Sequence, residues 1–455
     1  MCNKIKFIFF IFFFLSNLVS AQIKISSIQI EGNKKTKSYI ILRELSYHEG
    51  DFIAKDSLAI LNLAAEEQLF NTALFEQVKV QTEYIDSTEV HILIKVTERW
   101  YLFPIPYFRW VDRNFNQWWN EQNRSLDRVN YGINLRQANV SGNNDKLTLA
   151  YITGYTHQSV LRYQIPFIDK KLRYGLSLGW QNFTQKEINI ATQLDKQVFY
   201  KTQDIIQKGY RANASLLYRP NLYERYSVQW GLGKNEISDS AFLFNAAYLP
   251  SLQKTFSYVD ASFSYTKIHF DYNAYPTQGT STDVTWYQRF SKNSNLTSIQ
   301  LRKIWARSIS KNNFFLLESN SLLKFLPNQN YTDNKLLGYG NLQMNGLEYY
   351  VVDGNAASIF KTSFQHSLGT INIKNIILRN RLPYIKYQFW IKAFTQLGYV
   401  YSERPVNGNR LSNTLIRTAG IGMDIISIYD FVLKIDYSLN QLGNKGLYLH
   451  GAFNF

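Results

Sequence analysis

The 455-residue chain carries 32 tyrosines, 31 phenylalanines and 9 tryptophans, and only 18% of it is charged. That aromatic load excludes a disordered chain, and the lack of long apolar runs beyond the N-terminus excludes a bundle of membrane helices. Tyrosine joins an apolar ring to a polar tip and suits a surface that meets water and hydrocarbon together, so the composition is that of a transmembrane β-barrel.

Residues 1–21 read as a secretory signal peptide. Lys4 and Lys6 open the chain, an apolar run fills residues 7–18, and Val19-Ser20-Ala21 supplies small residues for cleavage before Gln22. The alternative, a retained N-terminal membrane helix, needs about twenty apolar residues, and this run has about twelve. Cys2 is the single cysteine and precedes the run. The mature chain then has none, and disulfides, thiolate catalysis and Cys-ligated metals drop out. On an exported chain, 50 basic against 34 acidic residues point to outer-membrane lipid and lipopolysaccharide as partners, and not to nucleic acid.

Residues 22–99 form a first unit. Ile23, Ile25, Ile28 and Ile30 alternate as a strand whose phase slips at Ser26-Ser27, and Glu31-Gly32-Asn33 turns it. Tyr39, Ile40, Leu42 and Leu45 predict a helix over residues 36–45. A second is predicted over about 56–70 from Leu58, Leu61, Leu63, Ala65 and Leu69, with Asp56 as N-cap. Strands at residues 75–80 and 90–96 follow across a polar turn at 84–88. The order strand, helix, helix, strand, strand describes a small α+β module. The run "IQIEGNKKTKSYIILREL", then "LFNTALFEQVKV", then "VHILIKVTER" resembles a POTRA domain of the outer-membrane assembly and secretion superfamily. The resemblance implies binding of a client polypeptide or another periplasmic partner by strand addition at the sheet edge. A folded plug or spacer is the plainer reading.

Residues 100–455 change character. Tyr174, Leu176, Leu178 and Trp180 fall on one face against Gly175, Ser177 and Gly179. Tyr226, Val228, Trp230 and Leu232 alternate in the same way, as do Val259, Ala261, Phe263 and Tyr265, and Leu433, Ile435, Tyr437 and Leu439 against Lys434, Asp436, Ser438 and Asn440. One face suits lipid and the other a wet lumen. In a bilayer every backbone polar group must be paired, so with no apolar run of helical-span length the solution is a closed antiparallel barrel. A soluble sandwich is the competing architecture. In the last strand, "GLYLHGAFNF", Leu447, Leu449, Gly451, Phe453 and Phe455 share a face, as in a strand that closes a barrel and in the terminal signal read by outer-membrane assembly machinery.

The stretch "MNGLEYYVVDGNAASIFKTSFQHSL" is similar to the long inward-folded loop of the BamA/TamA-like bacterial surface antigen family, whose tip carries Arg-Gly-aromatic. Here Asn345 takes the place of the arginine, Gly346 of the glycine and Leu347 of the aromatic residue, with Glu348 next. "FTQLG" resembles that family's Phe-x-Asp-x-Gly strand, Gln396 standing for the aspartate and Gly398 for the glycine. Two carboxamides thus replace a guanidinium and a carboxylate. Losing both partners of a buried pair is near neutral where losing one is costly, and two amides can each donate and accept. An Asn345–Gln396 contact anchoring the loop is therefore expected; a decayed motif with a mobile loop is the alternative. "YPTQGT", residues 275–280, resembles the family's turn opening a strand at Pro276. The family's barrels imply about sixteen strands, or about 22 residues for each strand and its connection.

His48, His91, His157, His269, His366 and His450 stand in no zinc-site spacing, and no Gly-x-Ser-x-Gly elbow occurs. No enzyme, cofactor or metal is expected. Two readings remain for an outer-membrane barrel with its N-terminal domain in the periplasm. One is an accessory insertion or translocation barrel handling client polypeptides through its POTRA-like domain and lumenal loop. The other is a channel or surface structural protein without insertase activity.

Overall fold

The computed structural model describes residues 22–110, 124, 126, 129–292, 294–326, 330–374 and 384–453. The signal-peptide reading and Phe455 lie outside the described residues. Two compact units are present, divided between Glu98 and Arg99.

The first unit contains β1 (Gln22–Glu31), α1 (Ser38–Leu42), β2 (Phe52–Ala54), α2 (Leu58–Asn71), β3 (Phe75–Tyr84) and β4 (Glu89–Glu98). Its sheet runs β2-β1-β4-β3, with β1 parallel to β4. Ile23, Ile25, Ile40, Ile41, Leu69, Ile92 and Ile94 are buried and form the core between sheet and helices. The slip at Ser26-Ser27 is a bulge between Ile25 and Ser27 in the β1–β4 ladder. Gly32 takes φ +91°, and a Cβ there would meet the Val96 carbonyl oxygen at 1.9 Å, so the turn needs glycine.

Both helices differ from the sequence reading at their ends. The Glu98 carboxylate accepts from the backbone N–H groups of Lys35 and Thr36, holding Thr36 outside α1. At the other end the Glu44 and Leu45 N–H groups donate to Ile41 and Leu42 in tighter three-residue turns. Asp56 is not the N-cap of α2. It lies in a 3₁₀ turn, Lys55–Ser57, and Ser57 occupies the cap without a side-chain bond.

The second unit begins with β5 (Leu102–Trp110), β6 (Val129–Ala138), β7 (Lys146–Gly154), β8 (His157–Ile165) and β9 (Tyr174–Gln185). A hairpin, β10 (Glu187–Gln193) and β11 (Lys196–Lys201), precedes β12 (Gln207–Tyr218), β13 (Glu224–Ile237), α3 (Asp239–Phe244), β14 (Thr255–Phe270), β15 (Gly279–Phe290), β16 (Leu296–Ser310) and β17 (Asn313–Phe325). Then come α4 (Tyr331–Asn334), β18 (Lys335–Leu337), β19 (Val352–Asp353), β20 (Ala356–Lys374), β21 (Tyr384–Tyr401), β22 (Leu415–Ile426), β23 (Phe431–Asn440) and β24 (Lys445–Phe453). Apart from the hairpins β10–β11 and β18–β19, these strands form one antiparallel sheet of sixteen, from β24 to β5. This is the β-rich transmembrane barrel that the alternation requires.

Its two faces separate by chemistry. Trp230, Leu232, Val259, Phe263, Leu397, Tyr437, Leu447 and Leu449 are exposed on the outside, while Asp260, Gln396, Asp424, Asp436, Ser438 and Asn440 are buried within. The near rim, where β5 begins, is tied across the ends of the sheet. Arg99 Nη1 lies 2.7 Å from Asp430 Oδ2 in the turn before β23, and the Phe103 ring meets Tyr429 edge-on at 5.2 Å. Tyr272 also donates to Asp430, at 2.6 Å. Pro276 does not open a strand: β15 starts at Gly279, and the preceding turn is held by Asp271, which accepts from the Thr277 and Gln278 N–H groups.

Candidate functional site

The connection between β17 and β20 folds into the barrel. Its Leu336, Leu337, Leu342, Met344, Leu347 and Val352 pack against Ala357, Ile359, Val400, Leu411 and Ile416. Apolar side chains therefore fill part of the lumen at this level, contrary to a uniformly wet interior. Apolar residues on both sides of the contact supply the reason, since their burial removes hydrocarbon from water.

At the tip the structure brings Asn345 and Gln396 together. The Asn345 backbone N–H donates to Gln396 Oε1 at 3.0 Å, and Gln396 Nε2 donates to Asn345 Oδ1 at 2.9 Å. Gly346 sits at φ +87°, its carbonyl accepting from Asn440 Nδ2 at 2.7 Å and its N–H donating to Glu348 Oε1 at 3.0 Å. Leu347 is buried in the apolar cluster. Gly398 clears space for the loop, because a Cβ there would stand 2.5 Å from Met344 Sδ. His450 Nε2 lies 3.3 Å from Glu348 Oε1. Of the closing-strand residues, Leu449 faces outward, while Gly451 and Phe453 pair with Leu433 and Phe431. That strand takes no part in the tip contacts with Gln396, Asp436 and Asn440.

The sequence reading missed the acid at the centre of this site. Asn345 Nδ2 donates to Asp436 Oδ2 at 2.7 Å, and Asp436 Oδ1 is 2.8 Å from Lys392 Nζ. Lys392 also meets Asp424 Oδ1 at 2.7 Å, and Tyr275 donates to Asp424 Oδ2 at 2.9 Å. Lys392, Gly422 and Asp436 share one row across β21, β22 and β23. A Cβ on Gly422 would stand 2.1 Å from Asp436 Oδ1, so this glycine lets the ion pair form across a strand. The inward position of Asp436 is legible in the alternation of β23; its partners depend on register. At Asp436 the charge belongs to the wall, and Asn345 binds it through a neutral amide.

Below the tip is a cavity of about 760 Å³, reaching to the near-rim turn at Tyr275 and lined by Arg302, Lys361, Lys434, Asp283 and Glu318 among others. Above the tip, the far-rim connections interlock. Asp195, at the β10–β11 turn, accepts from the Arg410 and Leu411 N–H groups at 2.7 and 3.2 Å, and its carbonyl accepts from Val351 N–H. Arg289 and Asp333 form a two-pronged buried pair at 2.7 and 2.6 Å. Lys335 Nζ lies 4.7 Å from the Tyr331 ring centre and 5.5 Å from those of Tyr248 and Tyr339. Burial lowers this lysine to about 8 and raises the nearby Asp353 carboxyl to about 6.

An α+β domain followed by a sixteen-stranded sheet with an inward-folded loop defines a POTRA-plus-barrel architecture. Residues 23–99 match the POTRA family described as surface antigen variable number repeat. CdiB from Escherichia coli superposes with TM-score 0.55 at 10% identity, covering 94% of this chain and 75% of that one. BamA from Haemophilus ducreyi lacking POTRA domains 1-3 gives 0.49 at 15% identity over 94% and 84%. CdiB from Acinetobacter baumannii gives 0.49 at 14% over 94% and 73%. The likeness is one of fold. No curated protein sequence matches the chain.

Proposed function

We propose that this protein is a non-enzymatic outer-membrane barrel, its POTRA domain in the periplasm, that assists insertion or translocation of client polypeptides. The observation that carries the reading is the lumenal loop, seated by hydrogen bonds between Asn345 and Gly346 and two wall strands, β21 through Gln396 and β23 through Asp436 and Asn440. The bonds to Gln396, Asp436 and Asn440 are made by uncharged loop groups, so the tip can leave them without stranding a buried cation. The buried charges Lys392, Asp424, Asp436, Arg289 and Asp333 are matched with one another, which suits a scaffold better than proton transfer.

The POTRA domain offers β3 as the long edge strand of its sheet. One of its edge amides, Val80 N–H, is held by Glu66 Oε1 at 2.8 Å. A client strand adding there displaces this carboxylate, an exchange of one hydrogen bond for another. Depletion of the protein followed by a census of outer-membrane and secreted proteins tests the reading. Loss of particular barrels or of one secreted partner supports it, whereas an unchanged census overturns it in favour of a channel or structural role.

A further inference from the structure

β20 and β21 are 19 and 18 residues long, against 13 and 12 for the flanking β17 and β22. The excess lies at the near rim. Among the described residues, the last bond from β20 to its other neighbour is Ser367 N–H to the Asn312 carbonyl, and β21 pairs with β22 only as far as Gln388. Beyond these points the two strands pair, among the described residues, only with each other, from Ile371↔Tyr387 to Lys374↔Tyr384, about 10 Å of ladder at the usual rise. A bulge between Ser367 and Gly369, with Gly369 at φ +117°, marks the point where the hairpin leaves the wall.

The extension has two unlike faces. Ile371 pairs with Tyr387 and Ile373 with Ile385, so these four share a face. Along β21 that face continues through Phe389, Ile391, Ala393 and Thr395 to Leu397, Tyr399 and Tyr401 on the outside of the barrel. The opposite face carries Thr370, Asn372, Lys374, Lys386 and Gln388, with the amphipathic Tyr384 beside Lys374. Ile371 and Ile373 are 55% and 52% exposed. A two-stranded hairpin showing this much hydrocarbon to water is marginal by itself. Its unpaired strand edges also bar it from the hydrocarbon interior.

We propose that this hairpin lies on the periplasmic leaflet, Ile371, Ile373, Ile385 and Tyr387 resting at the acyl boundary and Lys374 and Lys386 in the headgroup water. The occupant of the apolar face is lipid because that face continues the lipid-facing stripe of the wall. This rests on the membrane reading of the barrel, and the test separates the two.

A bimane fluorophore is placed by Ile373→Cys, Asn372→Cys or Leu397→Cys in the full chain, its native cysteine replaced by Cys2→Ser. The protein is reconstituted in phosphatidylethanolamine–phosphatidylglycerol vesicles with or without brominated acyl chains. Folding of each variant is checked by heat-modifiable gel mobility, with Ile371→Cys as a second apolar-face position. Brominated lipid should quench the Ile373 and Leu397 sites to within about two-fold of each other and the Asn372 site at least about three-fold less, following the alternation of a strand at an interface. If aqueous iodide quenches the Ile373 and Asn372 sites equally while the Leu397 site stays lipid-quenched, the hairpin stands free in the periplasm and the proposal fails. If the Leu397 site also escapes brominated lipid, the membrane reading fails with it.

Discussion

Asp436 shows how a single carboxylate serves two structures. It is fully buried, faces Lys392 with one oxygen and receives the loop through Asn345 with the other. Asp436→Ala leaves Lys392 with Asp424 alone and strips the loop tip of a charged acceptor, so it should cost about 3–5 kcal/mol. Asn345→Ala removes only neutral or singly charged hydrogen bonds from a site that water can reach once the tip loosens, at about 1–3 kcal/mol. Melting of the folded band in heat-modifiability gels should rank the two variants in that order. Asp353 supplies a pH signature. Its folded carboxyl titrates near about 6, above the unfolded value, so the penalty for its charge is absent below about pH 4, grows to about pH 6 and is constant above. Asp353→Asn should therefore leave the thermal midpoint unchanged below about pH 4 and raise it above about pH 6.

At the scale of elements, the fit between loop and wall depends on missing side chains as much as on present ones. Gly398 on β21 receives Met344, and Gly422 on β22 opens the row in which Lys392 meets Asp436. Gly398→Val should overpack the apolar contact by about 1–3 kcal/mol, and Met344→Ala in the same chain should return part of that loss; a double-mutant cycle on the loop's protease resistance reads the coupling. The β10–β11 hairpin acts as a latch. Asp195→Ala leaves the Arg410 and Leu411 amides without their carboxylate and should speed proteolytic cutting between residues 402 and 414, measured by limited digestion of the intact barrel.

For the whole molecule, the loop fills the far section of the lumen, and a cavity of about 760 Å³ lies between its tip and the near-rim turn. Ions must pass both. The intact protein should conduct weakly and intermittently in planar bilayers, and deletion of residues 338–350, which carry the tip, should raise the conductance several-fold. A large steady pore in the intact protein would contradict the seated loop.

The sequence alone determined the two architectures, because both are written in local periodicity. Alternating residues such as Tyr226 to Leu232 dictate a strand with unlike faces, and the slip at Ser26-Ser27 reads directly as the bulge that the β1–β4 ladder contains. It also pointed to Asn345, Gln396 and Gly398 through their likeness to a known loop and strand. Register was beyond it. That Lys392 reaches Asp436 across Gly422, that Asp195 meets Arg410, and that β20 and β21 outrun their neighbours are all consequences of how strands distant in sequence align. Alignment is fixed by the closure of the whole sheet and the packing inside it, to which no short stretch of chain contributes enough energy to be read by itself.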